Sequence, residues 1–347
     1  MKKELKVLVF CYTGLGNIVL FLPAYQAFRK KYPNAEITIA LDSRWYGDSF
    51  FMRQFGNDVH FVLFPSKAEG LRAISQKVWC LRRQRFDLVF MPYSGPSKKL
   101  GLILLMLGAK QTLFFKTGMW LLDSRFDPCL PVIDKEHYLE RNMRQVKALG
   151  IDGEIPDGWI VKSDEHVNKF RYKKNEEIWL GIHPGVNAEF NEARQWPTTH
   201  LAKLLNIALA RPKTKVVLFG RGPNEQAIIH SLIKGRDHHC LLVIDCPLDK
   251  VSAYLLLCDV FIGNDSGIMN LAVGLGVPTV AILGPTDPRH TRPYGRKHRV
   301  ARLELECSPC FDRGYSLNCK HRKCLTELSP DYVYSLINEV LLEKTRN

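Results

Sequence analysis

The stretch Gly263–Pro288, GNDSGIMNLAVGLGVPTVAILGPTDP, reads as a helix followed by a strand, and its ends are marked by polar and glycine residues. Asp265 and Ser266 carry side-chain oxygens that can cap the free N–H groups of a helix running from about Gly267 to Leu275. Gly276, Val277 and Pro278 then make a turn into the apolar strand TVAILG. A second apolar strand, DVFIG, comes just before the stretch. Strand, helix and strand joined by short glycine turns form a unit of a parallel sheet wrapped by helices.

Outward from this unit the same alternation continues. IWLGIHPG, a helix after WPTTH, KVVLFG, a helix over NEQAIIHSLIKG, CLLVID and a helix over LDKVSAYLLLC precede it. The first half has its own series: LKVLVFCY, a glycine turn, a helix over IVLFLPAYQAFRKKYP, EITIAL, a helix from about Gly70 to Arg85, DLVFMPY and a helix near LGLILLMLG. Between the halves, residues 162–177 (KSDEHVNKFRYKKNEE) lack any apolar period and are expected to be a linker. The reading is α/β, with two Rossmann-like doubly wound domains, 1–165 and 176–347, facing across a cleft. In such sheets ligands bind beyond the carboxyl ends of the strands, so the loops GIHPG, FGRGPNE and GNDSG are expected to converge.

Composition supports this organisation. A chain of 347 residues is too long for one ordinary core, and 46% apolar with 24% charged residues is a globular mixture without an apolar run of membrane-spanning length. Neither the amino terminus nor the short run Leu100–Gly108 reads as a signal or a span, which places the chain in the cytoplasm. A net charge of +14 asks for an anionic partner: nucleic acid, an acidic membrane or a phosphorylated substrate. No RNP-like aromatic motif, zinc-finger spacing or basic recognition helix is present, so nucleic acid is the weakest of the three.

The helix entrance at Ser266 and Gly267 offers backbone N–H groups and a partial positive charge, which suit a phosphate. Asp265 would be repelled by that phosphate and should face hydroxyls instead. A nucleotide sugar supplies both groups.

NDSGIMNLAVGLGVPTVAILGPTDP, RQWP about seventy residues earlier, GLGNIVLFLPAYQAFRKKYP near the start and CSPCFDRGYSLNCKHRKCLTELSPDYV near the end together resemble glycosyltransferase family 9, the lipopolysaccharide heptosyltransferases. The resemblance covers nearly the whole chain in the right order. It implies a GT-B fold and an inverting transfer from ADP-heptose or a related nucleotide sugar, with no catalytic metal or other cofactor required. It further implies a lipid A–core or similar anionic glycan acceptor, met by peripheral contact with the inner face of the cytoplasmic membrane. Arg194 in RQWP matches a donor-phosphate Lys of the family, and an Arg fork binds a diphosphate at least as well. Glu225 matches the acidic residue that meets the nucleoside ribose, although it also suits the first turn of a helix. Asp265, Ser266 and Gly267 match the family's Asp-Thr/Ser-Gly motif, and Gly16 belongs to its amino-terminal glycine motif.

Two positions depart from the family pattern. Asn17 stands where the family has a general-base Asp, and Asn270 stands where it usually has a His. An amide cannot take the proton of an acceptor hydroxyl, so a nucleotide-sugar-binding protein of the same fold with impaired transfer is the alternative reading. Asp42 and Asp48 are the carboxylates that could replace the missing base. Asn270 keeps a hydrogen-bonding side chain. No Asp-x-Asp triplet occurs to bridge a diphosphate through a metal. Cys307, Cys310, Cys319 and Cys324, with His321 nearby, could close a structural zinc or iron site. They could equally be reduced thiols, or include one disulfide. The other six of the ten cysteines lie in or beside apolar segments and read as packing residues.

Overall fold

The computed structural model describes residues 4–93, 95, 97–162, 177–186, 191–235, 239–310, 319 and 321–346. The chain divides into two compact units, Met1–Pro156 and Asp157–Asn347. Most of the polar stretch read as a linker, residues 163–176, lies outside the described residues.

In the first unit, runs rich in β-branched and aliphatic residues form β1 (Lys6–Cys11), β2 (Glu36–Leu41), β3 (His60–Leu63), β4 (Leu88–Phe90) and β5 (Gln111–Thr112). They make one sheet in the order β3-β2-β1-β4-β5, and every pair is parallel. Crossovers are supplied by α1 (Leu15–Lys31), α2 (Ser49–Phe55), α3 (Gly70–Arg82) and α4 (Lys98–Met106). Beyond β5 come a small parallel pair, β6 (Phe114–Phe115) with β7 (Cys129–Leu130), the one-turn helix α5 (Trp120–Asp123) and α6 (Tyr138–Lys147). α6 packs on α1 through a polar clip: Asn142 Oδ1 accepts from Tyr93 N at 2.8 Å while its Nδ2 donates to Leu20 O at 3.1 Å.

The second unit repeats the plan with a longer sheet. Its strands are β8 (Ile178–His183), β9 (Thr214–Gly220), β10 (Cys240–Ile244), β11 (Val260–Asn264), β12 (Thr279–Ile282) and β13 (Arg299–Ala301). All pair in parallel in the order β10-β9-β8-β11-β12-β13. The helices are α7 (Asn191–Arg194), α8 (Thr198–Leu209), α9 (Gly222–Ile233), α10 (Leu248–Leu257), α11 (Gly267–Gly274), α12 (Pro288–Thr291), α13 (Lys323–Thr326) and α14 (Pro330–Arg346). The stretch that opened the sequence reading is thus the end of β11, α11, β12 and the start of α12. Trp196 is fully buried in the core between α8, α14 and the sheet, and its indole donates to Leu328 O at 3.2 Å. Among the described residues no helix is long and apolar enough to cross a membrane.

Each sheet reverses its strand order at one point, between β1 and β4 in the first unit and between β8 and β11 in the second. Connections leave to opposite faces there, which opens a crevice beyond the carboxyl ends of the two strands.

Candidate functional site

The reversal in the second sheet brings together two strand ends, His183 on β8 and Asn264 on β11. Asn264 is 1% exposed and ties three segments. Its Nδ2 donates to Pro184 O at 2.9 Å and Gly185 O at 3.2 Å, and its Oδ1 accepts from Trp196 N at 3.0 Å. With Trp196 fixed in the core, Arg194 two residues earlier is held beside the end of β11. There its Nη1 meets Asp265 Oδ2 at 3.2 Å, both side chains mostly buried.

On the other side of the crevice, Gly222 adopts a positive φ of 75° at the start of α9, and its N–H donates to Asp245 Oδ1 at 2.7 Å. This turn aims Glu225 of the first helical turn back at the strand ends. The Glu225 Oε2 accepts from Arg221 N at 2.7 Å and lies 3.2 Å from His183 Nε2. A Cβ on Gly185 would overlap the Glu225 carboxylate, so glycine is what lets that side chain lie against the loop. His183 Nδ1 is in turn 3.4 Å from Ser266 Oγ, which accepts from Met269 N at 3.3 Å and caps α11. With the ring proton on Nε2, His183 donates to the carboxylate and accepts from the Ser266 hydroxyl, so every partner is satisfied. Burial raises the Glu225 pKa, but the hydrogen bond and attraction from His183, with the hydrogen bond from the Arg221 amide, outweigh it and hold the carboxyl below its ordinary value.

The loops GIHPG, FGRGPNE and GNDSG therefore meet, as expected. Ser266 is the helix cap, whereas Asp265 faces Arg194. Gly267 opens α11, an eight-residue helix whose entrance leaves backbone N–H groups available. Asn270, one turn in, donates from Nδ2 to Ser266 O at 3.4 Å; its buried Oδ1 has no hydrogen-bond partner among the described residues. At the far end of the same stretch Asp287 caps α12 and is forked by Arg289 Nε at 2.9 Å from each carboxylate oxygen, a local structural role.

Gly16 and Asn17 belong to the first unit, in the first turn of α1 at the end of β1. Asn17 Nδ2 donates to Thr13 Oγ1 at 2.8 Å, and Trp45 Nε1 donates to Thr13 O at 3.0 Å. Asp42 is buried against Arg44, whose Nε lies 3.1 Å from both of its oxygens. Asp48 caps α2 by accepting from Phe50 N at 2.9 Å. Both carboxylates already have structural partners.

The zinc or iron site that Cys307, Cys310, Cys319 and Cys324 could have closed finds no support. All four are free thiols, and among the described residues no group of three or more His, Cys, Asp or Glu is arranged to hold a metal ion. Cys324 is buried beside Gly284, where a Cβ on that glycine would lie 3.1 Å from its Sγ, while Cys307 and Cys319 are exposed. Burial, then the neighbouring Cys310, Cys319 and Cys307, push the Cys324 thiol up to about 11, so it stays protonated at neutral pH.

Two site residues, His183 and Asn264, went unrecognised in the sequence. Both end apolar strands, and the signal that could have found them is their place just before the Pro-Gly and Asp-Ser-Gly turns.

Residues 81–321 match the model of glycosyltransferase family 9 (heptosyltransferase). The sequence is 27% identical to lipooligosaccharide heptosyltransferase 2 of Campylobacter jejuni subsp. jejuni serotype O:6, over 97% of this chain and 99% of that protein. The fold is similar to that of the Escherichia coli ADP-heptose lipopolysaccharide heptosyltransferase II, with a TM-score of 0.74 at 22% identity over 98% and 100% of the two chains. It is similar as well to a family 9 glycosyltransferase of Veillonella parvula DSM 2008, with a TM-score of 0.78 at 18% identity over 99% of each chain. The architecture is the GT-B fold with two Rossmann-like domains.

Proposed function

Because the chain belongs to glycosyltransferase family 9, the heptosyltransferases, we propose that this glycosyltransferase moves a heptose from ADP-heptose to the inner core of a lipopolysaccharide or lipooligosaccharide. The second unit, Asp157–Asn347, binds the donor, and the first, Met1–Pro156, binds the acceptor. The observation that carries this reading is the convergence of Arg194, Glu225 and the α11 entrance at one reversal of strand order. A nucleoside diphosphate sugar offers diol, diphosphate and sugar in a row, and the site offers a carboxylate, a guanidinium with helix amides, and an unpaired amide oxygen. The names of the Campylobacter and Escherichia coli relatives supply the heptose and, for the latter, the ADP donor.

In this reading Glu225 accepts from the ribose hydroxyls, and its depressed pKa keeps it ionised for that purpose. Arg194 and the amides of Ser266 and Gly267 hold the diphosphate and stabilise its charge as it leaves. Asp265 turns from Arg194 toward sugar hydroxyls, which Asn270 Oδ1 also meets. The acceptor hydroxyl attacks the anomeric carbon from the face opposite the diphosphate. The new C–O bond forms as the bond to phosphate breaks, inversion results, and the hydroxyl proton passes to a base or to water. Asn17 occupies the family's base position and can orient that hydroxyl without taking its proton. One observation favours the reading of impaired transfer: the Asn17 amide is already committed to Thr13, and Asp42 and Asp48 to Arg44 and α2. The acceptor is an anionic glycolipid, so the enzyme works at the inner face of the cytoplasmic membrane.

A thermal-shift panel of ADP, ADP-heptose, UDP and GDP tests the donor. A ligand at about 100 times its dissociation constant should stabilise the chain by about 2.7 kcal/mol, and the adenine nucleotides should do so at the lowest concentration. Equal silence from every nucleotide would overturn the reading.

A further inference from the structure

We propose that α3, α4 and α5 form the surface by which this protein docks on an anionic lipid bilayer, an inference that rests on the reading of the acceptor as a membrane glycolipid. These three helices are neighbours in the first unit. Arg82 near the end of α3 donates to Met106 O at 3.0 Å and so fastens to the end of α4. On α4, Gly101 leaves room for Leu122 of α5, where a Cβ would lie 3.2 Å from that side chain. Their outward faces are unusually apolar for surface helices. Leu71 and Trp79 on α3 are 85% and 58% exposed, Leu102 and Met106 on α4 are exposed, and Trp120 and Leu121 on α5 are 75% and 62% exposed. On α4 the spacing of Lys99, Leu102 and Met106 puts a cation and two apolar side chains on one stripe.

Charge decides the occupant. From Gly70 to Asp123, the span of the three helices, the chain carries nine Lys and Arg and two carboxylates, Asp87 and Asp123. Asp87 is mostly buried and paired with Lys110 at 2.6 Å, and Asp123 accepts from Thr117 N and Oγ1 at 2.8 Å, so cations far outnumber carboxylates on this part of the surface. Arg83 lies over the Trp79 ring at 4.6 Å, the pairing of a cation with an interfacial aromatic that suits a headgroup layer. Exposed tryptophan and leucine among an excess of cations match an acidic membrane surface: the apolar side chains enter the acyl boundary and Lys98, Lys99, Arg72 and Arg83 meet lipid phosphates.

The test is co-sedimentation of the full chain with vesicles of phosphatidylglycerol in phosphatidylcholine, against phosphatidylcholine alone, at low and physiological salt. The parent should bind the anionic vesicles, and salt should weaken that binding without abolishing it, because cations and apolar side chains both contribute. Combined Trp79→Ser, Trp120→Ser and Leu121→Ser should lower partitioning by about tenfold or more at both salts. Lys98→Glu with Lys99→Glu should lower it mainly at low salt. Both variants should keep the parent's melting temperature and ADP affinity, since all five side chains are exposed and lie outside the donor unit. Parent-like vesicle binding by the apolar variant, equal binding to neutral vesicles, or a parent dimer that the apolar variant dissolves while lipid binding stays the same would each overturn the proposal. Failure of the parent to bind anionic vesicles, with ADP binding and transfer to a detergent-dispersed acceptor intact, would refute the docking surface alone, whereas failure of the parent to bind ADP refutes the donor reading.

Discussion

Arg194 and Asp265, separated by 71 residues in the chain, meet at 3.2 Å beside the entrance of α11. In the unliganded site each neutralises the other, and a bound diphosphate competes with Asp265 for the same guanidinium. Arg194→Ala should therefore weaken ADP binding by about 1.5 to 3 kcal/mol, the range for a hydrogen bond to a charged group. Asp265→Asn, which frees the guanidinium, should leave ADP binding equal or tighter. Titration calorimetry reads both, and unchanged affinity in Arg194→Ala would remove the residue from the phosphate site.

Glu225 is expected to contact only the nucleoside part of the donor. Glu225→Gln should weaken ADP by a similar ~1.5 to 3 kcal/mol while inorganic pyrophosphate binds as before. Gly185→Ala, which drives a methyl into the space of the Glu225 carboxylate, should copy that pattern. Equal loss for ADP and pyrophosphate would contradict the assignment.

Asn17 belongs to the first unit, the one proposed to bind the acceptor. If its position serves the acceptor proton, Asn17→Asp should raise transfer by at least about tenfold, a lower bound set beneath the roughly 10² to 10⁴ that general bases contribute. Donor affinity should not move. An acid in the first turn of α1 also suits the helix dipole, so the fold should tolerate it. Brisk transfer by the parent together with no gain in the variant would place the base elsewhere.

His298 makes a stability prediction. Burial, with the Lys297 charge beside it, pushes its pKa down to about 4, against about 6.5 for an exposed histidine. Above about pH 6.5 neither folded nor unfolded chain holds this proton, and stability is unaffected. Between about 6.5 and about 4 only the unfolded chain binds it, so stability falls with falling pH, by roughly 3 kcal/mol in all. Denaturant melts of the parent and His298→Asn across this window should diverge in that sense. Parallel curves would show that His298 titrates normally.

The sequence exposed the βαβ units wherever an apolar run ended in a glycine turn, as at GNDSG and FGRGPNE, because that chemistry is local. It also exposed the convergence of the loops GIHPG, FGRGPNE and GNDSG, since a parallel sheet delivers its loops to one edge, whereas Arg194 and Glu225 stood out only through the family resemblance. What it concealed depends on partners distant in sequence. Arg141, Asn142 and Gln145 of α6 are buried, so that helix shows a polar inner face where an apolar stripe is the usual signal. Asn264 is defined by the carbonyls of Pro184 and Gly185, 80 and 79 residues away. His183 is defined by Glu225 and Ser266 on two other loops. The cysteine spacing suggested a metal site that finds no support: C-x2-C is a local pattern, whereas a site also needs its ligands arranged around one point, and among the described residues no group of three or more is so arranged.

The most direct measurement incubates the purified chain, and Asn17→Asp beside it, with ADP-heptose and a lipopolysaccharide inner-core acceptor, following ADP release and acceptor mass together. The account predicts ADP and singly heptosylated acceptor in equal amounts, faster with Asn17→Asp, and no comparable transfer from UDP- or GDP-sugars. Failure of both proteins to transfer heptose while a UDP-sugar is consumed would contradict it.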